Sequence, residues 1–158
     1  MSYRIEVLGD QDRAGFTSGS EALDRYFRFQ VSQDVRRRVA SCFVALDEAG
    51  LVSGYYTIAT AAVALDALPP ARAKKLPRYA SVPAVLLGRL AVATAHQGKQ
   101  LGAVLVADAL MRARRLEIAA YALLVDAKDD TAARFYEHLG FERFGDARRL
   151  FHPLGNIG

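Results

Sequence analysis

A single cysteine, Cys42, in 158 residues leaves no partner for an internal disulfide and excludes a multi-cysteine zinc site. It sits in the strand-like run Ser41-Cys42-Phe43-Val44-Ala45-Leu46, where a small buried packing residue is expected rather than a reactive thiol. Long apolar runs are also missing. Ala59–Leu65 and Ser81–Leu87 fall far short of the roughly 20 residues that cross a bilayer, and Pro83 interrupts the second. The opening Met1-Ser2-Tyr3-Arg4-Ile5-Glu6 lacks a basic segment followed by an apolar one, so no secretory signal is expected. The expectation is a soluble cytoplasmic protein without a membrane partner. There are no internal repeats or low-complexity tracts, and the carboxylates form no pair of the kind that hydrolysis uses.

What is present suits one globular domain over 1–158: 52% of residues are hydrophobic and 24% charged, enough to bury a core. The net charge is +4. Much of the base is clustered, at Arg36-Arg37-Arg38, Arg72–Lys75, Arg112–Arg115 and Arg148-Arg149. One such cluster alone reads as a solvated face, whereas four together favour a polyanionic partner, either nucleic acid or a phosphorylated cofactor.

Periodicity supplies the element order. Tyr3–Leu8 alternates as a first strand, and Ser18 stands three residues before Glu21, a capping-box spacing that predicts a helix over about 20–37. Cys42–Asp47 and Leu51–Thr60 flank Glu48-Ala49-Gly50 as a hairpin, and the Pro-containing stretch Leu68–Pro83 reads as a loop. Ala84–Val92 is a strand in which Gly88 signals a bulge or a close backbone approach. Helical spacing of Ala103, Val106, Ala107, Leu110 and Ala113 predicts a largely buried helix over Leu101–Leu116. Tyr121–Ala127 is a strand, Asp130–Leu139 a helix capped by Gly140, and Phe141–Phe144 and Leu150–Leu154 are final strands. Alternation of strand and helix in the second half implies an α/β fold with a partly parallel sheet.

Between the strand ending near Val92 and the helix starting near Leu101 lies His96-Gln97-Gly98-Lys99-Gln100-Leu101-Gly102-Ala103. A strand, a glycine-containing turn and a helix N-terminus gather free backbone N–H groups and the positive end of a helix dipole, which makes an anion site. That arrangement alone leaves a nucleotide, a phosphosugar and an ordinary loop all open.

Gly88-Arg89-Leu90-Ala91-Val92, then Gln97–Ala103, then Ala132-Ala133-Arg134-Phe135-Tyr136-Glu137-His138-Leu139-Gly140-Phe141 together resemble the GNAT family of acetyltransferases. The resemblance implies the acyl-CoA N-acyltransferase fold, a mixed sheet splayed at the cofactor strand with helices on both faces, and acetyl-CoA as cofactor. It implies that Gln97, Gly98, Lys99, Gln100, Leu101, Gly102 and Ala103 hold the pyrophosphate, and that the pantetheine arm lies beside Leu90, Ala91 and Val92. It also puts Asp129, Ala132 and Phe135 near the cofactor. Gln100 departs from the pattern, occupying the place of the family's first glycine. Because glutamine tolerates helical dihedrals, the expectation is adjusted or weakened cofactor binding at that point. N-acetylation needs an uncharged amine, a polarised thioester and a proton for the departing thiolate. Tyr136 matches the family's general acid, and a phenol is protonated at neutral pH. His96, His138 and His152 match no metal spacing and are expected in surface or structural roles, with a general base possible only at His96.

A narrower resemblance covers almost the whole chain. Leu23-Asp24-Arg25-Tyr26-Phe27, Gln33-Asp34-Val35-Arg36-Arg37, Gly54-Tyr55-Tyr56-Thr57, Lys75-Leu76-Pro77-Arg78-Tyr79, Val82-Pro83-Ala84, Leu87–Val92 and Arg149-Leu150-Phe151-His152-Pro153-Leu154 are similar to GNAT toxins of bacterial toxin–antitoxin modules. The resemblance implies acetylation of the α-amino group on charged tRNA, a ribbon-helix-helix antitoxin as partner, and a homodimer. Arg36, Arg37, Lys74, Lys75, Arg78 and Arg89 are the candidates for tRNA phosphates, Arg89 equally for anchoring a loop or the cofactor. An ordinary GNAT enzyme acting on a small or protein amine, and an acetyl-CoA-binding module without turnover, remain the alternatives.

Overall fold

The computed structural model describes residues 2–145 and 147–155, so the ends of the expected 1–158 domain lie outside the described residues. Along the chain run β1 (Arg4–Val7), α1 (Glu21–Phe29), α2 (Val31–Arg36), β2 (Ser41–Leu46), β3 (Val52–Ala64), α3 (Pro70–Ala73), β4 (Ser81–Val92), α4 (Leu101–Arg114), β5 (Ala122–Asp126), α5 (Asp130–His138), β6 (Glu142–Arg143) and β7 (Arg149–Pro153). The seven strands form one mixed sheet in the order β1-β2-β3-β4-β5-β7-β6. Contacts cluster in two units, one comprising residues up to Ala59 with Gly88–Ala109, the other Thr60–Leu87 with the residues from Leu110 onward. No helix among the described residues is long and apolar enough to cross a membrane.

In the first unit β2 pairs antiparallel with both β1 and β3. Phe16, Phe27 and Tyr55 build its core: Phe27 stacks on Tyr55 with centroids 4.2 Å apart, Phe16 meets both edge-on, and the Tyr55 hydroxyl donates to the Leu23 carbonyl at 2.8 Å. Cys42 lies in this core, and burial pushes its thiol up to about 12, which keeps it unreactive.

The helix expected over 20–37 is broken. Gln30 leaves helical dihedrals at φ −123°, and the chain restarts as α2. The apolar positions Tyr26, Phe27, Val31 and Val35 keep helical spacing across the break, so periodicity could not reveal it. The N-cap is Ser20, whose side chain accepts from Leu23 N–H, and not the expected Ser18. Ser18 is held by Asp24 instead.

In the second unit β4 and β5 pair in parallel from Ala84↔Ala122 to Leu87↔Val125, and β7 pairs antiparallel with β5 and β6. Its core includes Val63, Leu68, Val82, Ala84, Leu124 and Phe151. The stretch expected as a loop, Leu68–Pro83, contains α3, with Pro70 where a helix needs no N–H donor, and the first residues of β4. Pro83 serves β4 only through its carbonyl, which accepts from Tyr121 N–H at 2.8 Å. α4 ends at Arg114, short of the expected Leu116. Gly140 closes α5 as expected, at φ +99°, with Phe141 N–H donating back to the Tyr136 carbonyl.

Candidate cofactor loop and active site

The chain leaves β4 through two backbone anchors, Ala93 N–H to the Ser53 carbonyl at 2.8 Å and Thr94 N–H to the Thr17 carbonyl at 2.9 Å, and makes one 3-10 turn over Thr94–His96. The Gln97 amide then donates to the Ser18 carbonyl at 2.7 Å and to the Val92 carbonyl at 3.0 Å. Its side chain therefore ties the loop to its own base. Gly98 follows at φ +78° and Gln100 at φ +64°, and α4 begins at the buried Leu101.

Gln100 overturns the expectation of ordinary helical dihedrals: it adopts the left-handed conformation that suits the glycine it replaces. The backbone there is of a kind glycine adopts readily, and the side chain stays exposed. The N–H groups of Leu101, Gly102 and Ala103 precede any possible i−4 partner within α4 and are joined by the exposed Lys99. This donor set fits a pyrophosphate.

On the strand before the loop, Ala91 is buried and Leu90 and Val92 are half-buried, and β4 continues through Gly88–Val92 beyond its last pair with β5. Gly88 shows a close approach: a Cβ there would stand 3.1 Å from the Thr57 hydroxyl. Gly54 on β3 is tighter. A Cβ would lie 3.0 Å from both the Ala91 carbonyl oxygen and Leu105 Cδ1. The carbonyl cannot rotate away, so Gly54→Ala must displace β4 and is expected to cost about 1–3 kcal/mol, measured as a lowered denaturation midpoint.

Tyr136 is buried on α5 between Phe135 and Phe141, both edge-on at 5.1 and 5.5 Å between centroids. Burial alone pushes its hydroxyl up to about 12. Asp129 caps the same helix, its carboxylate accepting from Ala132 N–H at 2.8 Å, which gives both residues a structural task in placing Tyr136.

His96 is occupied on both nitrogens, by the Tyr3 hydroxyl at 2.9 Å and by the Asp47 carboxylate at 3.5 Å, as a structural residue would be. His152 has its Nδ1 2.9 Å from the Pro153 carbonyl and its ring against Phe141. His138 ends α5.

The basic residues separate by what they touch. Arg72 pairs with Glu142, Arg148 with Asp130 and Arg149 with Asp126. Arg89 lies over the Tyr26 ring, 3.6 Å from its centroid, while the Tyr26 hydroxyl donates to Asp34 at 2.7 Å. Arg36 and Arg37 at the end of α2, and Lys74, Lys75 and Arg78 around the end of α3, are exposed and make no ion pair with any described residue.

The acetyltransferase (GNAT) domain model matches residues 38–143. A tRNA-acetylating toxin of Mycobacterium tuberculosis is 36% identical over 133 residues, covering 83% of this chain and 78% of its own. AtaT complexed with acetyl-methionyl-tRNAfMet superposes with a TM-score of 0.88 at 31% identity, covering 96% of this chain and 95% of that one. A tyrosine-to-phenylalanine mutant of KacT does so at 0.89 and 28%, covering 98% and 96%. AtaTR bound with acetyl-CoA reaches 0.80 at 30% identity, covering 96% and 94%. The loop at the head of α4, the domain match and these relatives agree, and the chain belongs to the GNAT family as an acetyl-CoA-dependent N-acetyltransferase.

Proposed function

We propose that this enzyme, acting as one acetyltransferase domain over 1–158, acetylates the α-amino group of the amino acid on charged tRNA and so stops translation in the cytoplasm. The observation that carries the reading is the near-full-length similarity to AtaT, whose structure contains acetyl-methionyl-tRNAfMet. Acetyl-CoA supplies the activated acetyl group. The protein's part is to bind, orient and protonate. Backbone N–H groups over Gln97–Ala103, with Lys99, hold the pyrophosphate, and Gln97 stiffens that loop from below. Leu90, Ala91 and Val92 flank the pantetheine arm. Tyr136 carries its proton throughout the neutral range and gives it to the departing thiolate sulfur, with Phe135 fixing the ring from one side. Arg36, Arg37, Lys74, Lys75, Arg78 and Arg89 take the tRNA phosphates. A ribbon-helix-helix antitoxin restrains the enzyme, and the enzyme works as a homodimer; the structure of an AtaT tyrosine-to-phenylalanine mutant bound to the C-terminus of the antitoxin AtaR supports an antitoxin partner.

The test is incubation with radiolabelled acetyl-CoA and a set of charged tRNAs, resolved by amino acid. Label at the aminoacyl end of at least one tRNA, faster than on free amines or peptides, is the expected result. Label only on free amines or peptides would instead make it an ordinary GNAT enzyme, and no label on any tRNA sinks the tRNA reading.

Gln100 gives a check on the loop. Gln100→Gly is expected to leave stability within about 1 kcal/mol, since relief of left-handed strain is offset by glycine's greater freedom in the unfolded chain. The acetyl-CoA KM stays within about threefold, because the backbone path is already that of glycine. Gln100→Val, β-branched and intolerant of positive φ, raises that KM and lowers the denaturation midpoint.

A further inference from the structure

Asp24 is the one charged side chain among the described residues that is buried outright, at 4% exposure, and it pairs with no described cation. A carboxylate in that setting is costly unless hydrogen-bonded. Its bonds all go to one short segment: Ser18 N–H at 2.9 Å, the Ser18 hydroxyl at 2.6 Å and the Thr17 hydroxyl at 3.4 Å. The carbonyls of those same two residues face the cofactor loop. Thr17 O accepts from Thr94 N–H, and Ser18 O accepts from the Gln97 amide, which also holds Val92 O. Gly19, at φ +90°, lets the segment turn directly into the Ser20 cap of α1, and a Cβ there would meet Thr94 Cγ2 at 3.9 Å. Residues 17–18 are thus a strap, gripped by Asp24 on one side and hydrogen-bonded to residues 94 and 97 on the other.

We propose that Asp24 is a positioning residue for acetyl-CoA, setting the start of the pyrophosphate loop through Ser18 and Gln97. The proposal rests on the reading of Gln97–Ala103 as that loop. Asp24 touches no substrate. Its removal loosens the strap, lets the Gln97 amide lose its carbonyl, and costs cofactor affinity without touching the proton transfer.

The experiment measures acetyl-CoA affinity by titration calorimetry, kcat, and the thermal midpoint for the full chain and for Asp24→Asn, Ser18→Ala, Gln97→Leu, the Asp24→Asn/Gln97→Leu pair, and Gly102→Glu. Asp24→Asn is expected to weaken acetyl-CoA about tenfold, with kcat at saturating acetyl-CoA and acceptor KM within about twofold. Ser18→Ala, which removes one donor and leaves the carboxylate in place, shifts affinity the same way by less and keeps the test open should Asp24→Asn fold poorly. The double variant binds no more than about twofold weaker than Gln97→Leu alone, since both act through one path. A lowered midpoint with unchanged acetyl-CoA affinity in both Asp24→Asn and Ser18→Ala, or full additivity in the double variant, overturns the proposal. Gly102→Glu puts a carboxylate where the pyrophosphate would sit; if it leaves affinity unchanged, the loop reading itself fails and the proposal falls with it.

Discussion

Tyr136→Phe should reduce kcat for acetyl transfer by about a hundredfold to ten-thousandfold, the range a lost general acid produces, while acetyl-CoA affinity and the thermal midpoint stay near those of the parent. The two halves of this expectation come from the same geometry. The ring is buried between Phe135 and Phe141, so phenylalanine fills the same space against the same edges. No hydrogen bond to any described residue depends on the hydroxyl, so removing it orphans no partner. Only the proton is lost. A drop in kcat with an equal drop in midpoint would instead make Tyr136 a packing residue, and an unchanged kcat would move the acid elsewhere.

The pH profile of the parent tests the same assignment from another side. Burial raises the Tyr136 hydroxyl to about 12, so its acid form is complete at neutral pH and is lost only as pH rises through that value. The rate should therefore climb as the acceptor amine deprotonates, with no descending limb until strongly alkaline pH. A descending limb in the mildly alkaline range, retained in Tyr136→Phe, would point to a different acid. His96 is poorly placed to act as the general base because both its nitrogens are engaged by Tyr3 and Asp47.

How much of this was readable in the sequence varies by element. In the second half, β5 and α5 fall within a residue or so of their expected bounds, because each is one uninterrupted pattern: four consecutive apolar residues buried in a parallel pairing, and a helix bracketed by a capping aspartate and a closing glycine. β3 runs past the expected Thr60 to Ala64, through alanines with little strand preference whose extension is decided by the sheet. α3 was hidden among the prolines of the expected loop, although Pro70 is the very residue that opens it. At the site, the motif pointed to Gln97–Ala103, which holds two left-handed residues ahead of α4, and to Tyr136, which is buried on α5. What it could not supply was the state of Gln100, since propensity favours a helical glutamine and only the surrounding chain holds it left-handed. Asp24 was invisible for a related reason: an acid one turn into an amphipathic helix reads as solvated, and its burial depends on a loop folding over it.

The charge pattern carries the second large effect. Lys74, Lys75 and Arg78 lie close together in sequence, exposed and without ion pairs to described residues, which are the conditions under which a cation can exchange solvent counterions for phosphates. Lys74→Ala/Lys75→Ala/Arg78→Ala should raise the KM for charged tRNA about a hundredfold at physiological salt and lower the slope of log KM on log salt by about three, one for each phosphate released. kcat and the acetyl-CoA KM should not follow, because phosphate contacts set register and do no chemistry. Arg149→Ala supplies the internal contrast. Its guanidinium is bound to Asp126 at 2.8 Å, so removing it frees a carboxylate and changes folding more than tRNA affinity. If the triple variant instead left the salt slope unchanged, the exposed cations around α3 would be no more than a solvated face, and the proposed tRNA contacts would rest on Arg36, Arg37 and Arg89 alone. Of these, Arg89 already spends its face on Tyr26, and its contribution should survive high salt better than that of an exposed lysine because a partly buried cation is less screened.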